Sequence, residues 1–170
     1  DRDTTYICFS NAIVKVDNQG HEMIEYSNLK GYCVWKENII DRAFNYISDY
    51  SKSHFGEFLI NITNGNNERI ESVSSAIGYL INNYCEPSIG RAVICYDEEI
   101  TDIKKPEGGT GKGLLANALK QVRTVAKIDG KRFRTDDKFR WQSINETTQI
   151  VWVDDAPKKL GFDVFHSVLT

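Results

Sequence analysis

The chain has 170 residues, of which 41% are hydrophobic and 26% charged, and its formal net charge is -3. This length and balance are typical of a globular protein with a buried core, and they exclude a disordered chain. No apolar run reaches the roughly 20 residues that cross a bilayer, and the start lacks a signal pattern, so we expect no membrane contact and a cytoplasmic location.

The first 90 residues are predicted to form a mostly helical region that begins with a short β-hairpin. β-Branched and aromatic residues at 6–16 and 31–35 indicate strands on either side of a turn sequence at 17–20. Apolar residues then follow helical spacing in three stretches: 37–47, 55–62 and 71–84. Between the last two, a turn-rich loop at 61–68 ends in a helix-cap sequence.

Residues 91–170 alternate between strand-like and helical patterns. The continuous apolar run RAVICY at 91–96 is typical of a strand buried on both faces of a parallel sheet. A helix is predicted over 114–125, and TQIVWV at 148–153 is the next strand. Strand, loop, helix and strand in this order indicate an α/β layer with a parallel sheet and flanking helices.

The stretch PEGGTGKGLLANAL at 106–119 is similar to a phosphate-binding loop that runs into a helix. Its glycines allow backbone amides to turn inward, Lys112 supplies a charge for the β- and γ-phosphates, and the helix N-terminus favours an anion. The residues predicted to bind the nucleotide are Gly108, Gly109, Thr110, Gly111, Lys112 and Gly113. Gly113 stands where the usual pattern has the hydroxyl that ligates Mg²⁺, and either Thr110 or a water molecule could take that role. The alternative is a flexible glycine turn before an ordinary helix.

Two carboxylates, Asp154 and Asp155, end the strand that follows. In a magnesium nucleotide site the first carboxylate, Asp154, can hold the hydrated metal, while the second, Asp155, can polarise the attacking water. A simple turn is the alternative for this pair. Its position about 40 residues after the glycine loop supports the nucleotide interpretation of both segments.

Charge is unevenly distributed along the chain. Residues 104–140 carry 11 basic and 4 acidic side chains, whereas residues 1–103 carry 8 and 16. The basic side chains at 127–140 alternate with Phe133, Phe139 and Trp141, a pattern that could hold a nucleic-acid backbone while aromatics stack on bases. The alternative is an amphipathic segment with its aromatics inside. Asp97 begins an acidic cluster with Glu98, Glu99 and Asp102, which is either a solvated loop or a metal or interface site.

Taken in order, several segments resemble the helicase part of phage and mobile-element primase-helicases, a branch of the superfamily 3 helicases. The resemblance covers the chain from about residue 10 to its end. It is carried by GYCVWKENIIDRAF, SSAIGYLINNY, RAVICYDEEI, GGTGKGLLANAL, KIDGKRF and TQIVWVDDAPKKLGFDVFHSVLT.

This resemblance implies an ATPase of the AAA+ type that assembles as a homo-oligomeric ring and moves along DNA during replication, with ATP and Mg²⁺ as its cofactors. It implies that residues 108–113 are the Walker A loop, that Asp154 is the metal carboxylate, and that Lys112 and Asp155 are catalytic. The implied fold is a partial P-loop NTPase core at 91–170 behind the region at 1–90. Phage or mobile-element origin in a bacterial host is expected.

In such helicases a DNA-contacting hairpin, a sensor residue and an arginine finger follow this strand, and none of them can be placed before Thr170. We therefore expect a fragment of a helicase that hydrolyses ATP poorly alone. Two alternatives stay open. One is a non-catalytic DNA-binding or ring-assembly module with a structural glycine loop, and the other is a small-molecule P-loop kinase. The kinase is disfavoured because only about 60 residues follow the loop, too few for a lid and substrate arginines.

Overall fold

The computed structural model describes residues 3–29, 31–82, 84, 91–97, 109–157 and 160–165. Within these residues the chain has an antiparallel sheet of three strands, a parallel pair of strands and three α-helices. The predicted α/β class is therefore confirmed. None of the described helices is long and apolar enough to cross a bilayer.

The N-terminal sheet consists of three short antiparallel strands in chain order. They are β1 (Thr4–Cys8), β2 (Ile13–Asp17) and β3 (Gly20–Ile24). The predicted turn sequence joins β2 to β3, where the Asp17 carboxylate accepts a hydrogen bond from the Gln19 amide at 2.9 Å. The hairpin prediction is thus confirmed, but its second strand is 20–24 and not 31–35. Residues 31–35 lie outside any strand.

The helix predicted over 37–47 is wrong. A single 3₁₀ turn at Lys36–Asn38 is followed by an extended path that runs alongside the end of β1. The Ile40 amide donates to the Cys8 carbonyl at 2.8 Å, and the Phe44 amide donates to the Asn11 side chain at 2.8 Å. These hydrogen bonds to β1 and its following turn outweigh the local helical spacing. They bring Ile40 and Phe44 onto the core formed by Ile7, Phe9 and Val14.

The two predicted helices that follow are confirmed as α1 (His54–Ile62) and α2 (Asn67–Ile81). Each begins with a side-chain cap. The Ser53 hydroxyl accepts from the Gly56 amide at 3.0 Å, and the Asn66 side chain accepts from the Arg69 amide at 3.0 Å. The cap expected at the end of the 61–68 loop is therefore Asn66. Capping satisfies amides that have no partner inside the helix.

The C-terminal half contains α3 (Lys112–Leu119), β4 (Val125–Asp129) and β5 (Ile150–Asp154). The predicted strand at 148–153 is confirmed as β5, which pairs in parallel with β4 so that Asp129 lies opposite Asp154. The helix predicted over 114–125 ends six residues early. It does so because the Thr124 carbonyl accepts from the amides of Gln149 and Ile150, at 2.9 and 3.1 Å, and so opens the parallel ladder.

The strand predicted at 91–96 is wrong in the described structure. Residues 91–97 have no strand pairing, and Ile94 and Tyr96 are 65% and 79% exposed. A strand requires a neighbour to satisfy its amides and carbonyls. Among the described residues, the parallel ladder contains only β4 and β5.

A buried arginine links the two predicted domains. Arg123, which is 6% exposed, lies between α3 and β4. Its Nε and Nη2 donate to the Ile81 carbonyl at 2.8 and 2.6 Å, and Nη2 also donates to the Thr5 hydroxyl at 3.2 Å. Burial lowers the pKa of Arg123 to about 10. A cation at the C-terminal end of α2 is favourable because the helix dipole is negative there. The division at residue 90 stays a prediction.

Candidate functional site

The Lys112 ammonium group lies at the start of α3 and has two side-chain partners. It donates to the Thr110 hydroxyl at 2.8 Å and forms a short ion pair with the Asp97 carboxylate. The hydrogen bond from Lys112 holds the pKa of Asp97 below its ordinary value. Lys112, Thr110 and Asp97 therefore form one polar cluster, which we call the lysine cluster.

Two glycines of the predicted loop have left-handed backbone conformations. Gly109 has φ of 95° and Gly111 has φ of 91°. Only glycine adopts this region without strain, which gives a physical reason for glycine at both positions. Gly111 is the N-cap residue of α3, and its carbonyl accepts from the Leu115 amide at 2.9 Å. Gly108 lies outside the described residues.

Gly111 is also required for packing against α1. A Cβ atom there would lie 2.9 Å from Phe58 Cε2 and 3.1 Å from Ile62 Cγ2. At Gly113, in contrast, a Cβ would meet nothing within 4 Å. Helix α1 therefore packs against the loop at Gly111, whereas Gly113 faces open space. The sequence alone does not distinguish these two glycines.

Asp97 was not expected at the lysine. The sequence placed it in an acidic cluster beside the loop, without a partner. Its cluster neighbours Glu98, Glu99 and Asp102 lie outside the described residues. Local spacing could not reveal the pairing because Asp97 and Lys112 are 15 residues apart.

The two carboxylates at the end of β5 each pair with a lysine from the β4 side. Lys127 Nζ lies 2.7 Å from Asp154 Oδ2, and Lys131 Nζ lies 2.8 Å from Asp155 Oδ2. The hydrogen bond from Lys127 lowers the pKa of Asp154, and the bond to Asp155 raises the pKa of Lys131. We call these four residues the aspartate cluster.

Gly130 fixes the backbone of this cluster. Its amide donates to the Asp154 carbonyl at 2.6 Å. A Cβ at Gly130 would lie 2.5 Å from the carbonyl oxygens of both Asp154 and Asp155, so only glycine fits. Asp155 itself has φ of 52°, a left-handed conformation that aspartate adopts more readily than most residues. The sequence signal that could have identified this position is the glycine directly after Asp129, at the end of β4.

The lysine cluster and the aspartate cluster are separate. In the part of the chain that the structure describes, no hydrogen bond or ion pair joins them. The described residues also contain no group of three or more His, Cys, Asp or Glu side chains able to hold a metal ion. Asp154 and Asp155 are hard oxygen donors of the kind that Mg²⁺ takes. One or two carboxylates are enough where a nucleotide supplies further oxygens, so the residues fit a nucleotide-bound Mg²⁺.

A second polar surface lies beside the aspartate cluster, between the end of β4 and the turns that follow it. It is a cavity of about 210 Å³, which we call the basic groove. Its lining includes two aromatic rings and four basic side chains, which are Phe133, Phe139, Lys127, Arg132, Arg134 and Arg140.

The aromatic residues of this segment divide into two half-buried rings, Phe133 and Trp141, and one exposed ring, Phe139. Phe133 packs on Trp141 with ring centroids 5.1 Å apart, and Trp141 packs on Phe165 at 5.7 Å. Phe139 is 71% exposed. The amphipathic alternative therefore holds for Phe133 and Trp141 and fails for Phe139.

A larger cavity, of about 510 Å³, lies where residues 37–42 face residues 120–125. Arg42 lines it and donates to the Gln121 carbonyl at 3.0 Å, while Thr124 donates from its hydroxyl to the Asn38 side chain at 2.8 Å. Neither Lys112 nor the two aspartates line this cavity. These hydrogen bonds, formed by residues that line the cavity, join the two halves of the chain.

The chain was compared with known proteins at three levels. No protein-family model, curated protein sequence or solved structure matches it.

Proposed function

We propose that the chain is part of an ATP-dependent DNA helicase, in which residues 108–113 bind the phosphates of ATP and Asp154 holds Mg²⁺. In the complete protein, a ring of subunits hydrolyses ATP to unwind DNA. The proposal takes the chain as a partial P-loop core, with DNA and neighbouring subunits as its partners.

The observation that carries the proposal is the placement of Lys112. Lys112 is the first residue of α3, and the loop before it contains two glycines in left-handed conformations, Gly109 and Gly111. A lysine there adds a full positive charge to the partial charge of the helix dipole and of the exposed amides. The same ammonium already holds an anion, the Asp97 carboxylate, which a phosphate oxygen could replace.

The aspartate cluster supplies the second part of the proposed site. Asp154 ends β5, the strand whose parallel partner β4 comes after α3 in the chain. Asp154 would hold Mg²⁺ there, and the metal, when bound, would supply positive charge against the negative charge that develops during phosphoryl transfer. Asp155 would orient the attacking water through its carboxylate. Lys127 and Lys131 would have to release the two carboxylates, and such exposed ion pairs are weak enough to exchange.

A second candidate is favoured by a different aspect of the same geometry. Lys112, Asp154 and Asp155 each already have an oppositely charged partner within the chain. A protein that never binds nucleotide could keep these pairs permanently. The candidate is a non-catalytic DNA-binding or ring-assembly module in which the glycine loop is structural.

Calorimetric titration with Mg·ATPγS distinguishes the two candidates. We expect the unaltered chain to bind and Lys112→Ala to lose binding. The matched control is Lys120→Ala, which removes an exposed lysine from the other end of α3 and should bind like the parent. Absence of binding by the unaltered chain would overturn the nucleotide site and leave the non-catalytic module.

Hydrolysis provides a second test. If neighbouring subunits complete the site, the isolated chain hydrolyses ATP slowly even where it binds. Rapid turnover by a monomeric sample, measured as phosphate release at several protein concentrations, would contradict the ring model.

A further inference from the structure

The basic groove combines positive charge with an exposed aromatic ring. Residues 127–143 contain six basic and three acidic side chains, whereas the whole chain carries a net charge of -3. The groove itself is lined by four basic side chains and two acidic ones, Asp129 and Asp137, so its balance of charge is positive. A surface of this kind attracts a polyanion and releases its counterions.

Arg132 and Arg134, two of the basic side chains that line the groove, can exchange their present carboxylate partners for phosphates. Arg132 Nε lies 3.4 Å from Asp129, and Arg134 Nη2 lies 3.3 Å from Asp136. The arginine side chains are 89% and 75% exposed, so these pairs are long and solvated. Solvated ion pairs contribute little to stability, and a phosphate can replace the carboxylate at small cost.

The backbone at Phe139 is held by hydrogen bonds, while its ring is 71% exposed. Its amide donates to the Asp137 carboxylate at 2.8 Å, and its carbonyl accepts from the Gln142 amide at 3.0 Å. Arg140 braces the same turn by donating to the carbonyls of Thr135 and Asp137, at 3.0 and 3.1 Å. Because the backbone that carries the ring is already ordered, little backbone entropy is lost when another flat group stacks on it.

One buried donor in the groove wall also lacks an acceptor. Within the described residues, Arg140 Nε is buried and has no hydrogen-bond partner. Buried donors are rarely left unpaired, because the loss of hydration costs free energy. A ligand rich in oxygen and nitrogen acceptors could supply this partner after a small movement of the side chain.

We propose that the basic groove binds a single strand of nucleic acid, with one base stacked on Phe139 and with Arg132 and Arg134 on the flanking phosphates. A single strand is required because the face of a base is free for stacking only when it is not enclosed in a duplex. The choice of DNA over RNA as the probe rests on the proposed function. The groove shares Lys127 with the aspartate cluster but no residue with the glycine loop.

The test uses fluorescence anisotropy of a labelled oligothymidylate with the full chain, without nucleotide or Mg²⁺. We expect Phe139→Ala to weaken binding about tenfold or more, in line with the loss of one stacked base. Arg132→Ala and Arg134→Ala should each reduce the slope of log affinity against log salt by about 1. The matched controls are Tyr32→Ala, at a ring that is 78% exposed, and Lys52→Ala, at a side chain that is 83% exposed.

Three results would overturn the inference. They are absence of binding to the oligonucleotide, unchanged affinity of Phe139→Ala, and equal affinity for a duplex of the same length, which would indicate phosphate attraction alone. Lys112→Ala should keep full DNA affinity, and Phe139→Ala should keep any affinity for Mg·ATPγS. Failure of the nucleotide site and failure of the groove are therefore distinguishable.

Discussion

The Lys112 ammonium group is neutralised by the Asp97 carboxylate, which lies 15 residues earlier in the chain. The lysine of the glycine loop is thus already bound to an internal anion. A phosphate that binds at Lys112 must compete with this carboxylate, so nucleotide affinity depends on a residue outside the loop.

Asp97→Asn should strengthen binding of Mg·ATPγS, because the amide keeps the shape of the side chain and removes the competing charge. We expect a gain of about fivefold, the upper end for exposed ion pairs, because the Lys112 and Asp97 side chains are only 35% and 20% exposed. Asp49→Asn is the control, since Asp49 forms an ion pair with Lys52 at 3.0 Å that is more exposed and lies outside the lysine cluster. A loss of affinity in Asp97→Asn, measured by calorimetry, would instead assign Asp97 a direct role in binding.

Lowering the pH should break the ion pair between Lys127 and Asp154. The hydrogen bond from Lys127 lowers the pKa of Asp154 below its ordinary value of 3.8. The folded protein therefore holds the charged carboxylate more strongly than the unfolded chain does. The resulting stability is fully present above pH 3.8 and is lost as the pH falls through the lower pKa of the folded state.

Carboxyl ¹³C NMR would measure this titration directly. The Asp154 midpoint should lie below 3.8 in the parent and rise towards that value in Lys127→Ala. Lys138→Ala, which removes an exposed lysine of the same segment, should leave the midpoint in place. An identical midpoint in the parent and Lys127→Ala would show that the pair does not persist in solution.

Gly111→Ala should destabilise the protein, whereas Gly113→Ala should not. Alanine at 111 would adopt an unfavourable φ and press against Phe58, at a cost of about 1–3 kcal/mol in the free energy of unfolding. Alanine at 113, in open space within α3, should stabilise by roughly 0.5–1 kcal/mol through helix propensity. Urea unfolding measures both changes. Equal effects at the two glycines would contradict the packing of the loop on α1.

Arg123→Ala should lower the free energy of unfolding by roughly 2–4 kcal/mol, because it leaves the Ile81 carbonyl without its buried charged donor. Arg42→Ala serves as the control. Its guanidinium also bridges the two halves by donating to Gln121, but from an exposed position, so its cost should stay below about 1 kcal/mol. If both variants unfold at the same urea concentration, burial does not distinguish the two arginines.

Local patterns in the sequence predicted the elements whose structure depends on local interactions. Helices α1 and α2 follow apolar periodicity and side-chain caps, and β5 follows a β-branched run that ends in two carboxylates. Strand β4 was missed because Val125–Asp129 is a short mixed run, in which strand and helix patterns are hard to separate. The segment 37–47 was mispredicted because its backbone hydrogen bonds go to the end of β1 and not to itself.

The same difference between local and long-range interactions applies to the candidate site. The glycine loop and the carboxylates were visible as motifs. Their ion-pair partners were not, because Asp97 and Lys127 reach Lys112 and Asp154 from other parts of the chain. Sequence spacing likewise assigns no burial to a single ring, so Phe139 could not be told from Phe133 before the structure placed one outside and the other on Trp141.

The bond from Arg123 to Thr5 spans 118 residues, and the bond from Arg123 to Ile81 spans 42. During synthesis, the N-terminal sheet and α2 leave the ribosome well before the side chain that joins them. Until Arg123 emerges, the Ile81 carbonyl has only water and the long hydrogen bond from the Thr5 hydroxyl, at 3.4 Å, so the sheet and helix are held together less firmly. Contacts of such long separation are slow to form, so completion of the fold should wait for the α3–β4 connection.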